Sequence, residues 1–494
     1  NVTADFAQLD LPADQTVNLN SPRTIGNLVF GDTDTGTAAG WTLANNGTAG
    51  NILTLAGTTP TVTVNALGTD KRVTLSAVVA GTAGLTKSGA GTLALTAANT
   101  YSGGTTLNGG QVNFNSDGNL GAVPGVPTPG NITLNGGTLA LTTGNQSLSA
   151  NRGVAVLAGG GTLSNAVAGS GNLSIPGVVA GPGTLTLGSA SGAGVIMNGQ
   201  NTYSGGTLLV GPANSAVFIT VGYSGSPGSV TSGPFGTGPV VFNGPGTRST
   251  ISADTTNGNP IIFAADTTFP TLASEKTLTL EGPITLSNGT RTLTVNIGAT
   301  VAGKSLVITG AIGDGGNGHG LTKAGTGRLV LAGANTYTGN TTVSNGLLVL
   351  QQPTLAASST VAVAGSGVLE LDFAATNTVA ALVLNGASQG PGVYDAASSS
   401  PFLAGTGALR VVPPPSIPTT GTNLSYTVSS GQITLSWPSN YVGWYLQVQT
   451  NSRSVGLSNN WVTLPGSELV TQTNFPVSAA NPAVFFRMVH TNTP

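Results

Sequence analysis

The sequence predicts an all-β chain: a long parallel β-helix followed by a small antiparallel β-sandwich-like domain. Three observations predict it. Short apolar strands of period two recur through the first 412 residues, glycine and asparagine punctuate them, and a proline run then separates off a segment rich in tryptophan.

Internal repetition is the first element. One block reads Gly84-Leu-Thr-Lys-Ser-Gly-Ala-Gly-Thr-Leu-Ala-Leu95, then Asn99-Thr-Tyr-Ser-Gly103 and Thr105-Thr-Leu107. A second reads Gly320-Leu-Thr-Lys-Ala-Gly-Thr-Gly-Arg-Leu-Val-Leu331, then Asn335-Thr-Tyr-Thr-Gly339 and Thr341-Thr-Val343. A partial copy keeps Gly183-Thr-Leu-Thr-Leu187, Asn201-Thr-Tyr-Ser-Gly205 and Thr207-Leu-Leu-Val210 but lacks the lysine. Leu93 and Leu95 alternate with Thr92 and Ala94, as in a strand with one buried face. Ser88–Gly91 and Asn99–Gly104 supply corners, because glycine and asparagine adopt the backbone angles of tight turns. Such short strands cannot bury a face alone and must stack on the next coil. At about 20–25 residues per coil, residues 1–412 predict roughly 16–20 coils. At about 4.8 Å per coil that is a rod of roughly 80–100 Å.

The stretch Pro413-Pro-Pro-Ser-Ile-Pro418 reads as a linker over 413–421, since proline runs favour extended spacers. Residues 422–494 hold three of the four tryptophans, Trp437, Trp444 and Trp461. Ile433–Trp437, Trp444–Val448, Trp461–Leu464 and Val484–Val489 read as strands of a small antiparallel sandwich.

Composition narrows the function. Only 6% of residues are charged and the formal net charge is −2, which gives no basic footprint for nucleic acid. No apolar run is long enough for a membrane-spanning helix. The hydrophobic fraction of 39% argues against disorder. The 494 residues include no cysteine, so disulfides and thiolate chemistry are absent. The first residue is Asn1, which predicts a mature secreted chain.

The pattern Gly-Leu-Thr-Lys-x-Gly-x-Gly-x-Leu-x-Leu…Asn-Thr-Tyr-[Ser/Thr]-Gly-x-Thr resembles the autotransporter-associated β-strand repeat of bacterial passenger proteins. The match is close at 84–107 and 320–343 and partial at 183–210. Gly392-Val-Tyr394 and Gly405–Val411 are similar to the end of such repeat regions. The resemblance implies a secreted, right-handed parallel β-helix and carries no activity with it. Family members often end in a translocator barrel, whereas this C-terminal segment resembles modules that close large secreted proteins.

Candidate chemistry is sparse. Glu370 and Asp372 lie two apart on Val368–Phe373, so both point one way, about 6.5–7 Å apart along the strand. That spacing suits an inverting glycosidase; the competing reading is a polar face alternating with Leu369, Leu371 and Phe373. Asp32-Thr-Asp34-Thr-Gly36 and Asp314-Gly-Gly-Asn-Gly-His319 are oxygen-rich turns that lack a full calcium-loop series. The two histidines, His319 and His490, fall in different predicted domains. Lys87 and Lys323 recur at equivalent positions and read as exposed corner charges that discourage stray pairing. Tyr101, Tyr203 and Tyr337 recur too, either as a carbohydrate platform or, preferably, packed over the adjacent turn.

These residues predict no catalytic, cofactor or metal site. The expected function is an extracellular structural protein that self-assembles head-to-tail into a fibre or surface layer, with itself as partner and neither nucleic acid nor a membrane span involved. The alternative is a monomeric surface adhesin or glycan-binding protein. A polysaccharide-degrading enzyme is the third reading, and it needs two or three carboxylates on adjacent coils.

Overall fold

A computed structural model describes residues 2–169, 171–212, 216–244, 254–269, 276–298, 303–412, 421–476 and 483–490. The chain divides into two compact units, Asn1–Val412 and Pro413–Pro494. The predicted linker over 413–421 falls almost wholly outside the described residues.

The first unit is a parallel β-solenoid of about 15 turns. One ladder of thirteen strands runs from Gln15–Asn18 to Ile312–Gly313, and one of eight strands from Thr3–Phe6 to Val179–Ala180. The turn count falls below the 16–20 expected because several coils exceed 25 residues. The bond from Asn201 Nδ2 to the Pro234 carbonyl spans 33 residues, whereas that from Val79 N to Asn99 Oδ1 spans 20. Long coils bulge outward as loops without disturbing the ladder.

Alternation builds the core. In Thr92–Leu95, Leu93 and Leu95 face inward and are wholly buried. Leu93 pairs with Val112, Val112 with Leu139, Leu139 with Leu163 and Leu163 with Leu187, giving an aliphatic column through five coils. Each fully buried Leu or Val contributes about 1.5–3 kcal/mol relative to exposure. Phe6, Phe30 and Trp41 stack at the first coils, with ring centroids 5.2–6.1 Å apart.

Close approach of coils explains the repeat's glycines. A Cβ on Gly103 would strike the backbone of Gly84, one on Gly205 that of Gly183, and one on Gly339 that of Gly320. Each copy therefore needs glycine where its corner touches the preceding coil.

The last coils change direction. Ala387–Gln389 pairs antiparallel with Ala381–Leu384, and Gly392–Tyr394 antiparallel with Ala408–Val411. No α-helix occurs among the described residues, and no helix is long and apolar enough to cross a membrane.

The second unit has two three-stranded antiparallel sheets. One joins Ser425–Ser429, Gln432–Ser436 and Gln472–Pro476; the other joins Val462–Thr463, Tyr445–Asn451 and Ala483–Val489. Leu435, Trp437, Tyr441, Trp444 and Leu446 form its core.

Candidate functional site

The recurring lysines, asparagines and tyrosines of the repeat point inward. Lys87 and Lys323 are fully buried, which overturns the expected exposed corner charge. Lys87 shares the inner face of its strand with Leu85. Its Nζ donates to the carbonyls of Ser88, Gly89 and Gly109 at 2.8, 2.7 and 3.3 Å. Lys323 donates to those of Ala324, Gly325 and Asn345 at 2.9, 2.7 and 3.0 Å. Each ammonium thus clamps its own corner to that of the next coil. Burial pushes both lysines down to about 8, while three carbonyl dipoles hold the charged form at neutral pH. Lys71, Lys276 and Lys304 are expected to react with an acylating reagent at pH 8.5 well before Lys87 and Lys323. Peptide mapping checks this; early labelling of Lys87 would contradict its placement.

Tyr101, Tyr203 and Tyr337 are buried as well, which removes the carbohydrate platform and bears out packing over the turn. Their hydroxyls pair with Thr105, Thr207 and Thr341 at 2.8, 2.6 and 2.7 Å. Burial raises all three phenols, Tyr337 to about 12. The motif asparagines bridge coils: Asn99 Oδ1 accepts from Val79 N, and Asn99 Nδ2 donates to the Asn119 carbonyl. The recurring lysines, asparagines and tyrosines are therefore stacking hardware.

The structure also keeps the other candidates apart. Glu370 pairs in register with Val349 and Ala404 on the adjacent coils, so neither neighbour brings it a second carboxylate. Asp372 Oδ2 accepts from Gln351 Nε2 at 3.2 Å. Asp32 Oδ1 takes the amides of Leu11 and Asp34, and Asp34 Oδ1 takes that of Gly36. Asp314 is buried and accepts from Gly316 N, His319 N and Thr338 Oγ1 at 3.0, 2.9 and 2.8 Å. His319 Nδ1 lies 3.0 Å from the Leu286 carbonyl, while His490 packs on Trp444 in the second unit. Among the described residues no three His, Asp or Glu side chains gather to hold a metal ion.

Burial alone would raise the Asp314 carboxyl, but its donors outweigh it and hold it at about 2, below the ordinary 3.8. Its stabilisation is present above pH 3.8 and lost as pH falls through about 2. Asp314→Asn is expected to flatten the acid limb of an unfolding titration in that window, as followed by circular dichroism.

Of the C-terminal tryptophans, Trp437 and Trp444 are buried, and Trp461 lies under the Arg487 guanidinium at 4.3 Å. Display of all three rings to a ligand is thereby excluded.

An outward trough lies on the thirteen-strand ladder. Thr42, Thr74, Ala94, Asn113 and Ala140 stack in register along it. Ala94, Asn113 and Ala140 are 6%, 8% and 1% exposed although they face outward, so the surface is concave there. Two clefts meet in this trough. One, of about 420 Å³, is lined by Asp14, Trp41, Thr42, Asp70, Lys71 and Arg72; the other, of about 320 Å³, by Arg72, Thr74, Thr96, Asn113, Asn115 and Thr142. Arg72 and Thr74 line both. Lys71 is paired with Asp14 at 2.9 Å. None of these groove residues stands out in the sequence; the trough exists only through register across coils of unequal length.

Comparison with known proteins agrees with this architecture. Residues 85–113 and 321–350 match the model of the passenger-associated-transport-repeat. The adhesin BmaC autotransporter of Brucella suis biovar 1 (strain 1330) is 31% identical over 347 residues, covering 68% of this chain. The chain spans about a tenth of that relative, 9% of its length. No solved structure matches. The two matched segments are those whose lysines, asparagines and tyrosines lock successive coils together, and the chain carries an autotransporter passenger-type β-helix.

Proposed function

We propose that this chain is a non-enzymatic, surface-exposed adhesin passenger whose β-helix presents an outward face to a neighbouring surface. The observation that carries the reading is the combination of the trough with a repeat whose lysines, asparagines and tyrosines are buried in stacking. The adhesin relative supports the same reading, and with it an extracellular or cell-surface location. A solenoid stabilised coil by coil suits display, because its length can grow without a new core.

Head-to-tail assembly into a fibre is the second reading. Its simplest form, parallel continuation of the coil, meets the antiparallel strands Ala387–Gln389 and Gly392–Tyr394 at the C-terminal coils. A fibre would need another joint. Latex beads coated with the full chain are expected to be retained on cell monolayers or polysaccharide-coated plates, whereas beads with heat-unfolded chain wash off. No retention on any surface, together with regular filaments under the electron microscope, would replace the adhesin reading with the structural one.

A further inference from the structure

We infer that the cleft around Arg72, Asn113 and Asn115 binds an acidic polysaccharide, with a sugar carboxylate seated against the Arg72 guanidinium. The inference rests on the adhesin reading and gives it a ligand class.

The cleft is rich in unused donors. Arg72 is exposed, and its guanidinium has no hydrogen-bond or ion-pair partner among the described residues. Asn113 Oδ1 is occupied by Gln111 Nε2 at 2.6 Å, and Asn115 Oδ1 by Thr142 Oγ1 at 2.6 Å. Both amide oxygens are thus committed, while both Nδ2 groups lack a protein partner among the described residues. Their orientation follows from these bonds. The Thr96 hydroxyl donates to the Leu75 carbonyl and the Thr142 hydroxyl to Asn115 Oδ1, and both keep lone pairs for sugar hydroxyls.

Charge points the same way. The lining of this cleft contains one cation and no carboxylate. The adjoining cleft contains Asp14 and Asp70, but Lys71 offsets Asp14. An anion therefore prefers the Arg72–Asn115 side. Arginine's planar fork matches a carboxylate in two parallel hydrogen bonds.

Shape selects a chain rather than a small acid. The trough runs along the stacking direction, and its floor at Ala94 and Ala140 is made of single methyl groups. An extended polymer can lie over several coils, its acid group at Arg72 and its hydroxyls over Thr42, Thr74 and Thr142. Side chains that make no intramolecular bond are also those a ligand uses without disturbing the fold.

Affinity electrophoresis of the full chain in gels containing polygalacturonate tests the proposal, with neutral dextran as the control. Retardation is expected with polygalacturonate alone, weakening as salt rises. Arg72→Gln, which breaks no bond within the protein, is expected to weaken it at least about tenfold, the loss of one charged hydrogen-bonded pair. Asn115→Ala is expected to weaken it less. No retardation of the wild type, or equal retardation of Arg72→Gln, would overturn the proposal. Beads bearing Arg72→Gln that still adhere would leave the adhesin reading standing and remove this site from it.

Discussion

Arg152→Met is expected to destabilise the β-helix by about 3 kcal/mol or more, the cost of removing one partner from a buried ion pair. Arg152 is 1% exposed. Its Nε donates to Asp117 Oδ1 at 2.8 Å. One terminal nitrogen donates to the Leu120 carbonyl and to Asn131 Oδ1; the other donates to the carbonyls of Asp117 and Gly121. All five N–H donors are thus satisfied. Removal strands the Asn131 amide oxygen and takes one donor each from the Asp117 carboxylate and three carbonyls in one place. Arg152→Lys is expected to recover little of the loss, since an ammonium cannot reach the fork's five acceptors. Because solenoids unfold by coil, the effect concentrates in residues 117–152, and hydrogen exchange there measures it directly. Unchanged exchange in that segment would show that Arg152 is not so held.

Asn99→Ala is the second large effect, at about 2–6 kcal/mol. Val79 N and the Asn119 carbonyl each lose a buried partner, at about 1–3 kcal/mol apiece. The bonds are 2.8 and 2.6 Å long and reach the coils on either side. Asn201 makes the equivalent pair to Val179 N and the Pro234 carbonyl. Asn335 accepts likewise from Ile312 N, but its Nδ2 reaches only Thr354 Oγ1, at 3.5 Å. Asn335→Ala should therefore cost less than Asn99→Ala. Urea unfolding of both variants checks the order, and equal losses would contradict the bridge.

Much of the fold was legible because strand period and glycine corners are local properties. Leu93, Leu95 and Val112 fall inward as alternation requires. The same rule read consistently would have placed Lys87 inward, two residues after Leu85. The expectation that charge stays outside overrode the period. What that expectation missed is the supply of acceptors: tight corners expose carbonyls toward the interior, and a cation there is solvated by backbone. The trough was not legible. Asn113 reaches its place between Ala94 and Ala140 through coils of unequal length, and nothing local announces the register. Glu370 and Asp372 were spaced correctly for catalysis on one strand, but only the pairing with Val349 and Ala404 could show what their neighbours bring.

The trough depends on one in-register outward ladder, since a slip of one residue turns each trough residue into the core. Spin labels at Thr42→Cys and Thr74→Cys test it directly in this cysteine-free chain. The two positions are paired neighbours, so backbones about 4.8 Å apart should give strong dipolar broadening. Sharp, independent spectra from the doubly labelled protein would contradict the ladder and, with it, the groove that the adhesin reading uses.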